Sequence, residues 1–234
     1  MLELKNKKGA LFSIKECSKR IYAFVLRYRH AFLLTYGFIY MAWFNFVEYY
    51  TKNHFHIVYM PLDDYIPFVE YFIIPYLLWF PYIGITIVYF LFKSKDDFKR
   101  MCFFLFTGMT IFLIVSTVYP NGAYLRPIVF PRNNIFTKMV EFIYNIDTPT
   151  NLFPSLHVFN AIGVHLALHY SKAFRKNKKI LVSSFILCIL IILSTMLVKQ
   201  HSIFDVITAI IMAFVVWIIV YNPNLTRHFK TAKK

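Results

Sequence analysis

The chain is poor in charge. Of its 234 residues only 16% are Asp, Glu, Lys or Arg, and acids are the scarcer kind, with 11 Asp and Glu against 26 Lys and Arg. An ordinary soluble domain carries about 25% charged and about 45–50% apolar residues. Here 59% are apolar, more than a chain this short can hide in one core. The shortage of charge excludes an ordinary soluble globular protein and makes the bilayer the expected solvent. Cysteine is scarce too. Cys17, Cys102 and Cys188 are odd in number and widely separated, which argues against a disulfide framework or a zinc cluster and leaves three small hydrophobes. No short apolar core followed by a small-residue cleavage site opens the sequence, so a cleaved signal peptide is not expected. No internal repeat, low-complexity tract or soluble appendage is visible.

What is present is a net charge of +15. Clustered Lys and Arg would suit a nucleic acid, but here the charges sit between long apolar runs, and the aromatics are not spaced as a stacking platform. No nucleic-acid partner is expected. Windows long enough to cross about 30 Å of hydrocarbon fall at 31–50, 66–92, 102–119, 153–170, 180–198 and 203–222. The second contains Pro75 and Pro81, which predict a tilt or kink. The fourth is the most polar, with His157, Asn160 and His165, residues that a membrane helix turns toward other helices or a watery cavity. The segments 1–30, 93–101, 171–179 and 223–234 hold 21 of the 26 Lys and Arg. That bias predicts both termini on the cytoplasmic side. Acids divide the other way, so the expected balance is +17 inside and −2 outside. The expected architecture is therefore all-α and polytopic: a basic amphipathic segment over 1–30, a six-span domain over 31–222 and a basic cytoplasmic tail over 223–234. A multi-pass protein of a cell membrane, of bacterial cytoplasmic type by its Lys-, Asn-, Ile- and Phe-rich composition, is expected.

Lys52, Arg126, Arg132, Lys138 and Lys199 are the cations left on the outer side. Three polar segments fall on the same face: Tyr119 to Pro127 after the third span, Asn151 to His157 opening the fourth, and Ser194 to Asp205 between the fifth and sixth. Pro154 and Ser155 at a helix start offer free backbone N–H groups and a hydroxyl to an anion. Arg126 could add a planar bidentate donor. His201 and Asp205 stand four apart, hence on one helical face. A carboxylate on one imidazole nitrogen fixes the tautomer and raises the basicity of the other. His157 could supply a proton to a departing alkoxide. Each residue alone also has an ordinary reading as an interfacial residue, a solvated side chain or a helix cap. Their conjunction on one face points to phosphoryl transfer through a phosphohistidine. Asp63, Asp64 and Glu70, at the outer start of the second span, read best as helix caps. His165, Asn160 and His169 read as helix-packing or inner-interface residues.

Pro154-Ser155-Leu156-His157 and His201-Ser202-Ile203-Phe204-Asp205 resemble the second and third signature motifs of the PAP2 superfamily, the type 2 phosphatidic acid phosphatases and their lipid phosphotransferase relatives. Arg126-Pro127 resembles the end of the first motif. The resemblance implies a six-span helical bundle and His201 as nucleophile, with Asp205 orienting it and His157 as proton donor. It also implies Arg126 and Ser155 on the phosphoryl oxygens and no metal or other cofactor. The chain departs from the family pattern twice: Tyr119 stands where the first motif has Lys, and Thr195 where the third has Arg. Lys199 and Arg132 are the candidate replacements. The implied reaction is hydrolysis of a lipid phosphate or pyrophosphate, of phosphatidic acid, phosphatidylglycerophosphate or polyprenyl pyrophosphate type. The substrate would enter sideways from the outer leaflet to an outward-facing site. The thin cation set is also similar to the sphingomyelin and inositolphosphorylceramide synthase branch, which implies head-group transfer as the alternative. A non-catalytic transporter or scaffold is the reading from outside enzymes.

Overall fold

The computed structural model describes Glu16, residues 19–51 and residues 54–221. The tail over 223–234 and most of the expected amphipathic segment lie outside these residues. Within that segment, residues 19–27 are helical and largely exposed.

Seven helices follow, joined by short turns and two long connections: α1 (Tyr36–Thr51), α2 (Ile73–Lys93), α3 (Lys95–Val118), α4 (Ile135–Ile146), α5 (Leu156–Tyr170), α6 (Lys178–Leu197) and α7 (Ile203–Tyr221). Among the described residues, five helical stretches are long and apolar enough to cross a membrane: Arg29–Thr51, Glu70–Lys93, Lys95–Val118, Lys178–Leu197 and Ile203–Tyr221. They match five of the six expected windows. The sixth window corresponds to α5, whose 15 residues extend about 22 Å at 1.5 Å per residue, shorter than the hydrocarbon core. Helix α5 is instead the centre of the bundle, packed against α2, α3, α6 and α7. Asn160 is buried there and His157 and His165 are partly covered, while His169 at the far end is exposed.

The burial pattern is that of a protein solvated by lipid. The most apolar stretch of Arg29–Thr51 is 11% buried and that of Lys95–Val118 is 44% buried. Phe38, Ile85, Phe185, Ile211 and Phe214 point outward, where water would penalise them and acyl chains would not. The core is formed by Phe90, Phe98, Phe104, Val158, Phe159, Val164, Ala209 and Ala213, from α2, α3, α5 and α7. Helices α3 and α5 interlock through two glycines: the Phe159 ring fills the space where Gly108 lacks a Cβ, and Phe104 does the same at Gly163. The two rings stack at 4.7 Å.

Boundaries differ from the hydropathy windows where polar residues continue a helix. Helix α3 begins at Lys95 rather than 102, because Ser94 caps it by accepting from Asp97 N, and Ser94 Oγ donates to Asp97 Oδ2 at 2.7 Å. Helix α2 runs on through Pro81, while Pro75 falls in its first turn, where a missing N–H costs nothing. The stretch over 120–152, between the third and fourth expected spans, contains α4. That helix buries Val140 and Ile143 and exposes Ile135, Phe142 and Ile146. A two-residue parallel ribbon pairs His56–Ile57 with Asn121–Gly122, and Thr150 bridges to Gly122. The cap over one end of the all-α bundle is thus tied together by a small piece of β structure that hydropathy did not signal. Basic residues of the α2–α3 and α5–α6 turns gather at the opposite end, where Ser171 Oγ donates to Asp97 Oδ2 at 2.9 Å. Cys102 and Cys188 are free and buried, packed as apolar side chains.

Candidate active site

The site is built from the C-terminus of α6, the N-termini of α5 and α7, and the loops that cover them. Helix α6 ends in a Schellman motif. Lys199 takes the left-handed position at φ 54°. Its N–H donates to Met196 O at 2.9 Å, and Gln200 N donates to Thr195 O at 2.9 Å. The Thr195 carbonyl accepts His201 N as well, at 3.0 Å. At the position of the family's missing arginine, the main chain therefore fixes the residue that carries the imidazole. Tyr144 Oη adds a hydrogen bond to Val198 O at 2.7 Å.

Helix α7 then opens with Ser202 as its cap, accepting from Phe204 N at 3.2 Å. Asp205, three residues on, reaches back so that its Oδ2 accepts Ser202 N at 3.0 Å. This variant of the capping box, with Ser202 accepting from the second helical N–H instead of the third, fixes the carboxylate, and the same oxygen lies 3.3 Å from His201 Nδ1. With Nδ1–H directed at Asp205, Nε2 keeps its lone pair. His201 and Asp205 are buried, at 7% and 0% exposure. The His157 ring, from the first turn of α5, is centred 5.7 Å from that of His201. It is held between Tyr76 and Trp79 of α2, at 4.6 and 4.4 Å, and the indole N–H donates to His157 O at 3.1 Å. Ser155 caps α5, accepting from Val158 N, and its own N–H donates to Asp205 O at 3.3 Å. This last bond ties the two helix starts together.

Arg126 is also here. Its Nη1 donates to Tyr144 O and Asp147 O at 3.0 and 2.9 Å, and its Nη2 to Gln200 Oε1 at 2.8 Å. The Tyr144 ring lies 4.5 Å from the guanidinium carbon. Burial lowers the pKa of Arg126, against the raising effect of Asp147 beside it. Burial also pushes the Asp147 carboxyl up, offset by Arg126 and His201. Three buried polar atoms of this cluster have no hydrogen-bond partner among the described residues: His157 Nε2, Asp205 Oδ1 and Gln200 Nε2.

The structure thus gathers His201, Asp205, His157, Ser155 and Arg126, with Thr195 beneath them. Three other candidates have different partners. Arg132 pairs with buried Glu70 through two bonds of 2.6 and 2.8 Å, which raises the Arg132 pKa. Lys199 Nζ donates to Asp63 O at 2.8 Å, and burial lowers its pKa in spite of Asp63 and Asp64. The Tyr119 ring stacks on His56 at 4.5 Å, on the ribbon. Of the acids read as caps, Asp63 is one, but for α7 rather than the second span: it accepts Ser202 Oγ at 2.6 Å and Ile203 N at 2.8 Å. Glu70 instead holds Arg132 and Asn134. His165 lies against Ser184 of α6 at 3.0 Å, a packing role. Among the described residues no three His, Cys, Asp or Glu side chains are grouped to hold a metal ion.

Sequence reasoning missed Gln200, Tyr144, Asp147 and Asn121. Asn121 Oδ1 accepts Leu152 N and Phe153 N at 2.9 and 2.8 Å and so shapes the approach to α5. Only adjacency to His201 could have flagged Gln200.

Comparison with known proteins follows the same residues. The chain is 32% identical over 174 residues to an uncharacterised protein of Methanocaldococcus jannaschii, a match covering 70% of this chain and 64% of that protein. No solved structure matches. The sequence profile of the PAP2 superfamily matches residues 125–228. That segment carries Arg126, Ser155, His157, His201 and Asp205, so the motif resemblance is borne out and the site lies within the matched segment.

Proposed function

We propose that this protein is a membrane lipid phosphatase that hydrolyses a lipid phosphate or pyrophosphate through a phosphohistidine. The observation that carries the reading is the His201–Asp205 pair, locked by a capping box beside a second buried imidazole, inside a PAP2 superfamily segment. That segment supports a phosphatase-type enzyme in general; the substrate, the steps and the topology below are our reading.

His201 Nε2 attacks phosphorus, the bond from phosphorus to the leaving oxygen breaks, and His157 gives that oxygen its proton. Water, deprotonated by His157, then attacks the phosphohistidine. The N–P bond breaks and the lone pair returns to His201. Asp205 stabilises the cationic imidazole throughout. The first-turn N–H groups of α5, capped by Ser155, and the charge of Arg126 stabilise the phosphoryl oxygens. Arg132 and Lys199, engaged with Glu70 and Asp63, stay outside this cradle.

The chain spans the membrane six times, with α5 as a short span sheltered by its neighbours. Both termini lie in the cytoplasm and the site faces outward, because the basic turns gather at the end opposite His201. Lipid enters sideways from the outer leaflet. A shallow apolar groove lined by Leu77, Met139, Phe142 and Ile143, with Lys138 at its edge, supports that route. A second reading, head-group transfer to a lipid alcohol, is favoured by one observation: with Arg132 and Lys199 engaged, the site keeps a thin set of cations.

A panel of lipid phosphates assayed with and without diacylglycerol separates these. Free phosphate, abolished by vanadate, is expected. A new phospholipid formed only with acceptor would favour transfer, and no turnover of any phosphoester would favour a transporter or scaffold.

A further inference from the structure

Gln200 stands between the cation of the site and its nucleophile. It is 2% exposed and precedes His201 in the chain. Its orientation follows from elementary donor counting. A guanidinium has five N–H donors and no acceptor, so the atom facing Arg126 Nη2 at 2.8 Å must be the amide oxygen. The NH2 group therefore faces away from Arg126, and Nε2 has no partner among the described residues. A buried amide donor left without an acceptor is costly. The other unpartnered atoms of the cluster, His157 Nε2 and Asp205 Oδ1, belong to the side chains that flank the His201 ring.

Arg126, meanwhile, spends three of its five N–H donors on protein. Both terminal nitrogens already donate to Tyr144 O, Asp147 O and Gln200 Oε1, and the Tyr144 ring lies over it. An ion bonded to one end of an amide polarises it and strengthens the donor at the other end.

We propose that the Gln200 amide is a phosphoryl ligand of this site, donating from Nε2 to a phosphoryl oxygen, and that Arg126 acts on the substrate through Gln200 rather than by direct contact. The inference rests on the phosphohistidine reading. It names a ligand that the motifs do not contain, and it explains how a site with Tyr119 and Thr195 at the usual cation positions still presents a strong donor.

Gln200 is the sole glutamine of the chain. Protein labelled with 15N at the glutamine side-chain amide therefore gives one NH2 signal pair, and vanadate can be titrated onto the wild-type chain in detergent. The pair should move, with its midpoint at the vanadate concentration that half-inhibits turnover, and saturate above it. If vanadate inhibits and the pair stays still, Gln200 is not a ligand and the phosphohistidine reading survives. If vanadate neither inhibits nor moves the pair, both fall. Gln200→Glu supplies the functional arm. It keeps an acceptor for Arg126 but replaces the donor with an acceptor, so a residue that merely anchors Arg126 would tolerate it. Turnover should fall by roughly 10²-fold, as for one lost oxyanion donor, with the unfolding temperature preserved. Wild-type turnover in Gln200→Glu would overturn the assignment.

Discussion

Asp97 and Asp205 are buried carboxylates in the first turns of two neighbouring helices, α3 and α7, at opposite ends of the bundle. Each stands three residues after a serine that caps its helix. At the basic end, Asp97 is closed on itself. Its Oδ2 accepts from Ser94 and Ser171, and its Oδ1 lies 4.0 Å from Arg100. At the other end, Asp205 Oδ2 serves Ser202 N and His201, while Oδ1 has no partner among the described residues. One local device thus has two uses. Where every acceptor is met by a neutral hydroxyl or a surface cation, the carboxylate is a joint between helices. Where it is spent on an imidazole and left partly unpaired, it can follow a change of charge in its neighbour.

The sharpest test of the second use is the imidazole itself. His201→Ala removes the nitrogen proposed to receive phosphorus, and residual turnover of about 10⁻³ of wild type or less is expected. Turnover equal to wild type would remove His201 as nucleophile.

The comparison between the two carboxylates is broken next, with one substitution made at both ends. Asp205→Asn keeps a neutral oxygen for Ser202 N and His201 and so should keep the fold, but it removes the charge that stabilises the imidazole. A fall in turnover of about 10²–10⁴-fold is expected. Asp97→Asn should leave turnover within about threefold and lower stability by about 1–3 kcal/mol, since charge-assisted bonds at the helix joint become neutral ones. Thermal unfolding beside a turnover assay reads both. Equal effects at the two ends would show that the distinction between joint and catalyst is false.

How the two ends were legible in the sequence differs in the same way. The three motif segments and five of the spans could be read, because each is a local pattern: a helical spacing of His201 and Asp205, a run of apolar residues, a bias of Lys and Arg. The start of α3 at Lys95 was hidden by hydropathy, although Ser94 and Asp97 carry a capping signal that a window average ignores. Helix α4 was hidden between the third and fourth windows, since its 12 residues are too few for a span. Nothing local reports that Asp63 meets Ser202 and Ile203 across about 140 positions, or that Arg126 meets Gln200 rather than an anion. Arg132 shows the limit from the other side: its charge suggested phosphate, and its partner turned out to be Glu70, 62 residues away.

Asp63 is where the cap holds the start of α7 beside His201. It satisfies Ser202 Oγ, Ile203 N and Met60 N together. Asp63→Ala leaves these groups without their acceptor and should cost about 1–3 kcal/mol. If α7 frays, the Ser202–Asp205 capping box loosens and turnover falls with it. Because the effect passes through stability, turnover should recover at lower temperature, unlike that of Asp205→Asn. Failure to recover would bring Asp63 into the chemistry.

The smallest effect is expected at Lys199, the residue whose charge and backbone argue in opposite directions. As a cation two residues before His201 it suits phosphate, and its loss would then weaken turnover by tenfold or more. As the C′ residue of a Schellman motif at φ 54°, it occupies a position that glycine fills more easily. A non-glycine residue there costs about 1 kcal/mol. Lys199→Gly relieves that cost and gives up a single hydrogen bond from Nζ to Asp63 O, a partly exposed contact worth about the same. The two nearly cancel. The variant should unfold within a few degrees of wild type and turn over within about threefold of it. A loss of tenfold or more with the unfolding temperature unchanged would move Lys199 from the helix terminus into the phosphate cradle.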